Sequence, residues 1–139
     1  MSSIKYQNGY EYQLFETYIH PLPDSFGKFS GNKDFFLSLD GKTLTIAKGY
    51  AWDGASGPPK LFHTQTPNTM RGSLVHDALY QLIRENIIPE AMKDACDREL
   101  QKILIEDGMG SIRAWTYYQG VHLFGYSSTV GQKPIIKAP

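Results

Sequence analysis

The sequence predicts an α+β fold: a small antiparallel sheet with a β-hairpin in the N-terminal half, packed against three helices in the C-terminal half. Three observations predict it. Short β-prone runs broken by Gly and Pro fill the first half, Asp40-Gly41 stands between two of them, and the hydrophobic period turns helical at Pro67. Strands followed by helices, rather than alternating with them, belong to the α+β class.

The elements follow in order. Tyr10, Tyr12 and Leu14 alternate with Glu11 and Gln13, and Phe15 to Ile19 continues a β-prone stretch that Pro21 and Pro23 end. Phe35 to Leu39 and Thr43 to Ala47 flank Asp40-Gly41-Lys42, the signal of a hairpin. The stretch from Tyr50 to Phe62 is irregular, with Gly54, Gly57, Pro58 and Pro59. Pro67 suits the first turn of a helix, with Thr66 as its N-cap. Between Thr69 and Glu85 the apolar residues Met70, Leu74, Val75, Ala78, Leu79, Leu82 and Ile83 make one broad face. Ser73, His76 and Tyr80 project from the opposite side, with Asp77 at the far flank, and read as a solvated polar face with the tyrosine packed on a neighbour. Pro89 opens a second helix, striped by Met92, Ala95, Cys96, Leu100, Ile103 and Leu104, which Gly108 and Gly110 end. Ser111 caps a third, running to about Phe124, where Gly125 stops it. One domain is expected over residues 1–126, with an extended tail over 127–139.

Composition narrows the function. With 139 residues the chain has room for one core. A single cysteine, Cys96, excludes an internal disulfide and any zinc site of several cysteines. Fourteen basic residues balance fourteen acidic ones, which argues against a protein that lives on nucleic-acid phosphates. No apolar run approaches the roughly 20 residues that span a bilayer. The N-terminus lacks a basic-then-apolar signal pattern, so a cytoplasmic protein is expected. There is no phosphate loop and no dinucleotide fingerprint, hence no nucleotide cofactor motif.

Three segments hold polar residues in unusual settings. Asp53 follows a strand and precedes a loop of small residues, Gly54-Ala55-Ser56-Gly57-Pro58-Pro59, which lets another group approach closely. His76 and Asp77 are adjacent on a helix, with Tyr80 one turn on from His76. Asp97 lies at the edge of the second helix's apolar stripe and needs a partner, which Arg71, Arg84, Lys93 or His76 would supply; Asp94 points toward water. His63 reads as a loop residue and His122 as a histidine packed among Tyr118 and Trp115. Cys96 has no basic group placed to activate it.

These segments resemble a known family. Asp53-Gly54-Ala55-Ser56, then His76-Asp77-Ala78-Leu79-Tyr80, then Cys96-Asp97, then Leu123-Phe124-Gly125 are similar in order and spacing to the DUF 1353 family of bacteriophage and prophage proteins, over roughly residues 35–125. That family has no assigned function. The resemblance implies a phage setting, in the host cytoplasm or on the virion, and a cluster of Asp53, His76, Asp77, Tyr80 and Asp97. The chain departs from the family pattern at Ser56-Gly57-Pro58, where an apolar residue usually separates Ser from Pro, and at His122, where a basic residue is usual.

Two classes of function are expected to compete. In the first, Asp53, His76 and Asp97 hold zinc, manganese or iron with a water in an open position, and Asp77 and Tyr80 are the catalytic candidates, a spare carboxylate serving as general base. The substrate would be a small molecule, a peptidoglycan cross-link or a phosphodiester. In the second, the same cluster is a buried polar network of a virion or assembly component, or of a protein that binds a host factor or small ligand.

Overall fold

The computed structural model describes residues 6–7, 12–52 and 67–124. The Asp53 turn, His63, Thr66, Gly125 and the tail lie outside the described residues. Strands β1 (Tyr6–Gln7), β2 (Tyr12–Leu14), β3 (Tyr18–Pro21), β4 (Phe29–Lys33), β5 (Leu37–Gly41), β6 (Thr43–Ile46) and β7 (Ala51–Trp52) precede helices α1 (Pro67–Arg84), α2 (Lys93–Glu106) and α3 (Ser111–Phe124).

The fold is α+β, with strands in the N-terminal half and helices in the C-terminal half. The strands form two antiparallel sheets, β1-β2-β7 and β3-β6-β5-β4, rather than one. The β-prone run from Tyr12 to Ile19 is divided between them. Where it passes from one to the other, the amide of Leu14 bonds the carbonyl of Tyr50 at 2.8 Å, and its carbonyl takes the amide of Gly49 at 2.8 Å. That corner turns the chain from one sheet into the other.

The hairpin joins β5 to β6 with Leu39 opposite Leu44 and Asp40 opposite Thr43. Gly41, the first residue of its two-residue loop, has φ of 65°, the positive angle a type II′ turn needs there. Strand β4 is one the sequence did not announce, because Ser30, Gly31 and Asn32 are poor strand formers. It forms against β5, and Gly31 admits Ile87 so closely that a Cβ there would stand 2.9 Å from that side chain.

The inward side chains of the larger sheet, among them Leu37, Leu39, Leu44 and Ile46, join the core with Leu74, Ala78 and Leu82 of α1. The expectation of one apolar and one solvated face for α1 is corrected here. From Thr69 to Ile83 every side chain is buried except Asp77 and Gln81, which are partly so. The sheets take the apolar arc and α2 covers much of the rest. Gly72 permits the approach, since a Cβ there would lie 3.0 Å from Leu100 Cδ1. Helix α3 closes the other side of α2 through Leu100, Leu104, Met109, Ala114, Tyr117 and Val121.

Both long turns are set by residues in the left-handed region. Asn86, with φ of 64°, ends α1; the amide of Ile87 returns to the carbonyl of Leu82 at 2.9 Å and that of Asn86 to Ile83 at 2.9 Å. Gly108, with φ of 105°, ends α2 in the same way, Met109 bonding Leu104 at 2.9 Å. These are Schellman closures, which satisfy the last carbonyls of a helix. Among the described residues no helix is long and apolar enough to cross a membrane.

Candidate functional site

Asp97 sits one turn into α2 and is wholly buried. His76 and Tyr80 stand four residues apart on α1, so their rings rise from one face, with centroids 4.1 Å apart, and reach the same point. His76 Nε2 lies 2.7 Å from Asp97 Oδ1, and the Tyr80 hydroxyl donates to that same oxygen. The second oxygen, Oδ2, accepts from Lys93 Nζ at 2.9 Å. The ammonium also reaches the carbonyls of His122 at 3.2 Å and Val121 at 3.4 Å, in the last turn of α3. A cation at the negative end of a helix is favourably placed. Three helices therefore meet at one carboxylate.

The charges follow from these contacts. Burial works against an ionised Asp97, yet the hydrogen bond from His76, with the Tyr80 and Lys93 donors, holds its carboxyl below the usual carboxylate range. An ionised carboxylate only accepts, so His76 donates from Nε2. Burial first, then the charge of Asp97, pushes the Tyr80 hydroxyl far above its ordinary range.

A second layer faces solvent. His122 Nδ1 lies 3.7 Å from Asp97 Oδ2 and 3.5 Å from Asp94 Oδ1, and its ring stacks on Tyr118. Asp94 is half exposed and takes donors from Tyr118 and, at 3.0 Å, from Arg98. The Tyr118 bond is the main reason the Asp94 carboxyl stays below its usual range. Burial, then Asp94, pushes the Tyr118 hydroxyl up to about 12.

Of the residues singled out from sequence, the structure brings His76, Tyr80 and Asp97 together. Lys93 is the cation at Asp97, while Arg71 lies elsewhere. Asp77 turns away from this point, its Oδ2 accepting from the Tyr50 hydroxyl at 2.8 Å. Burial and then Asp77 raise that hydroxyl well above its ordinary range. Asp53 lies outside the described residues. The tryptophan before it, Trp52, donates from its indole to Ser73 Oγ at 3.0 Å, one turn ahead of His76. The thiol of Cys96 is pushed up by burial and by Asp97 and Glu99, so it stays protonated and inert.

As a metal ligand, Asp97 meets an obstacle. Lys93's ammonium occupies Oδ2 and two donors occupy Oδ1, so a dication there would displace donors and face a cation. Among the described residues no three His, Cys, Asp or Glu side chains group to hold a metal. His76 keeps one nitrogen, Nδ1, that no described residue bonds.

Sequence reasoning missed a second buried histidine–carboxylate pair. His20 Nε2 lies 2.7 Å from Glu99 Oε2, and His20 Nδ1 lies 3.0 Å from the Tyr18 hydroxyl. Arg71 Nη1 donates to that hydroxyl at 2.7 Å, while its other nitrogens hold Asp107 and Glu106. Two signals were present. Glu99 falls three residues after Cys96 and four before Ile103, inside the apolar stripe, and His20 occupies the same side of a strand as Tyr18.

A family model described as Protein of unknown function (DUF1353) matches residues 33–121. The match takes in His76, Asp77, Tyr80, Lys93 and Asp97, and leaves β3 outside. No curated protein and no solved structure matches the chain.

Proposed function

The chain belongs to the DUF1353 family, and we propose that it is a phage-encoded hydrolase whose working atom is Nδ1 of His76. One contrast carries this reading. Of the two buried histidine–carboxylate pairs, His20 has both nitrogens engaged, by Tyr18 and Glu99, whereas His76 is held by Asp97 at Nε2 alone among the described residues. A histidine that only fastens a fold is served by using both nitrogens. One held from behind by a carboxylate keeps a fixed tautomer, which makes its other nitrogen the acceptor. Asp97 then stabilises the imidazolium that forms when Nδ1 takes a proton from an attacking water.

In this reading Asp97 and Tyr80 are positioning residues. Asp77, bound to Tyr50, places the chain leading into β7 against α1. If a divalent zinc, manganese or iron is used instead, His76 Nδ1 and Asp53 would hold it, His76 would then be a ligand and not the base, and the ion would supply a water of lowered pKa. The substrate class is a peptidoglycan peptide bond or a phosphodiester, and the place of action the host cytoplasm or the virion; the phage resemblance supports both.

A specific observation favours a second reading, a non-enzymatic virion, assembly or host-factor-binding protein: both oxygens of the buried Asp97 are satisfied from within. The test is hydrolysis of purified peptidoglycan and of a model phosphodiester by wild type and His76→Gln, with melting curves with and without a chelator. Activity lost in a folded His76→Gln supports the hydrolase, and chelator sensitivity assigns the metal. No hydrolysis by wild type, with no effect of chelator, rejects the hydrolase in favour of the packing network.

A further inference from the structure

Among the described residues, strand β3 is an edge of the four-stranded sheet and pairs only with β6. Tyr18 and His20 are its inward side chains, while Ile19 and Pro21 face outward. Both inward residues end in a polar chain that crosses to the helices: Arg71 on α1, Tyr18, His20, then Glu99 on α2, with links of 2.7, 3.0 and 2.7 Å.

The direction of that chain is fixed. A guanidinium only donates, so the Tyr18 oxygen accepts from Arg71. The one Tyr18 proton then goes to His20 Nδ1, and the Nε2 proton of His20 goes to Glu99. Each donor has an acceptor, and His20 is neutral in this arrangement. A second proton on the ring must go on Nδ1, where it meets the Tyr18 hydroxyl proton. Tyr18 would have to turn its own proton away from its partner in a setting only 5% exposed. One donor is left over, and a buried donor without an acceptor is unfavourable.

The charged groups facing the ring are few. Glu99 favours the second proton. Lys102, 3.4 Å from Glu99, and Arg71, across the Tyr18 oxygen, oppose it. Glu106 and Asp107 are engaged on Arg71 from its far side.

We propose that His20 is a pH-sensitive latch. While neutral it fastens the β3 edge to α1 and α2; a second proton releases β3 and leaves the helices packed. The latch is independent of what His76 does.

Amide hydrogen exchange tests it, corrected for the intrinsic pH dependence and compared at about pH 8 and about pH 5, either side of the range of a model imidazole. On acidification the Tyr18 and His20 amides, which face β6 in the ladder, should lose protection by on the order of tenfold, while α1 amides keep theirs. In His20→Gln the side chain can accept from Tyr18 and donate to Glu99 without titrating, so β3 should stay protected at both pH values. Equal β3 protection at both pH values in wild type overturns the latch, as does the same acid loss in His20→Gln. Should that variant not fold, the wild-type comparison of β3 with β5 amides decides alone: equal acid loss in both strands overturns the proposal.

Discussion

Nε2 of His76 and Oδ1 of Asp97, 21 residues apart in sequence, lie 2.7 Å apart in the interface between α1 and α2. Neither side chain is reachable as an ordinary surface ion pair. Breaking such a pair by removing one partner is costly, because the other remains buried without it. Asp97→Asn keeps an acceptor for His76 and Tyr80 but turns its amide protons toward Lys93, donor against donor. We expect it to destabilise the fold by about 3–5 kcal/mol. Asp94→Asn, at a half-exposed position, keeps an oxygen to accept from Tyr118 and loses only the exposed Arg98 pair, so it should cost at most about 1 kcal/mol. Urea unfolding of both variants checks this, and equal costs would show that the two carboxylates are not distinguished by burial.

The same carboxylate sets an acid limb of stability. Its pKa is lowered in the fold, so its contribution is present above the unfolded value of about 3.9 and disappears as pH falls through the lower folded value. Stability should therefore drop below about pH 4. In Asp97→Asn that part of the drop should be missing, so the urea midpoints of wild type and variant should converge toward about pH 2. Parallel curves would assign the acid loss to other carboxylates.

Much of this fold could be read from local chemistry. Gly41 in the hairpin loop, Pro67 and Ser111 at helix starts, and Gly108 at a helix end are short-range signals, and each marks an element that formed. What escaped was tertiary. The polar residues of α1 looked like a solvated face because periodicity cannot say that a second helix, admitted by Gly72, will cover them. The split into two sheets depends on Leu14 bonding Tyr50 and Gly49, contacts 35 residues or more along the chain. For the candidate site, Asp97 and His76 were legible as groups needing partners, and Lys93 was among those named for Asp97. That His76 is held, among the described residues, at Nε2 alone, and that His20 and Glu99 make a second pair, depends on how α1 and β3 pack on α2.

Gly31 tests the unannounced strand. A Cβ there would meet both Cγ1 and Cγ2 of Ile87 at 2.9 Å. Those atoms sit on a branched Cβ and cannot swing clear, so Gly31→Ala should cost about 1–3 kcal/mol through displacement of β4 from the end of α1. Adding Ile87→Ala removes the obstructing atoms. The double variant should be less destabilised than the sum of the two singles, by at least about 0.5 kcal/mol in a thermodynamic cycle. Additive effects would mean that Ile87 does not bear on Gly31.

Lys93→Met isolates the cation at the site. The substitution keeps much of the aliphatic stem and removes the ammonium that joins Asp97 to the carbonyls of Val121 and His122. Two consequences are expected together. At neutral pH the variant should lose on the order of 3 kcal/mol, because Asp97 keeps the donors on Oδ1 but has a buried charge with no full counter-ion. As pH falls and Asp97 takes a proton, that deficit should shrink, since the neutral acid no longer needs the ammonium. The variant also bears on metal binding. With Lys93 gone, Oδ2 of Asp97 is open, and any divalent ion that the ammonium had excluded gains a carboxylate ligand. Melting of Lys93→Met with added zinc or manganese should then shift upward by more than wild type does. An upward shift of equal size in both proteins would show that the ion binds elsewhere, and a pH-independent deficit would show that Lys93 acts on α3 alone and not through Asp97.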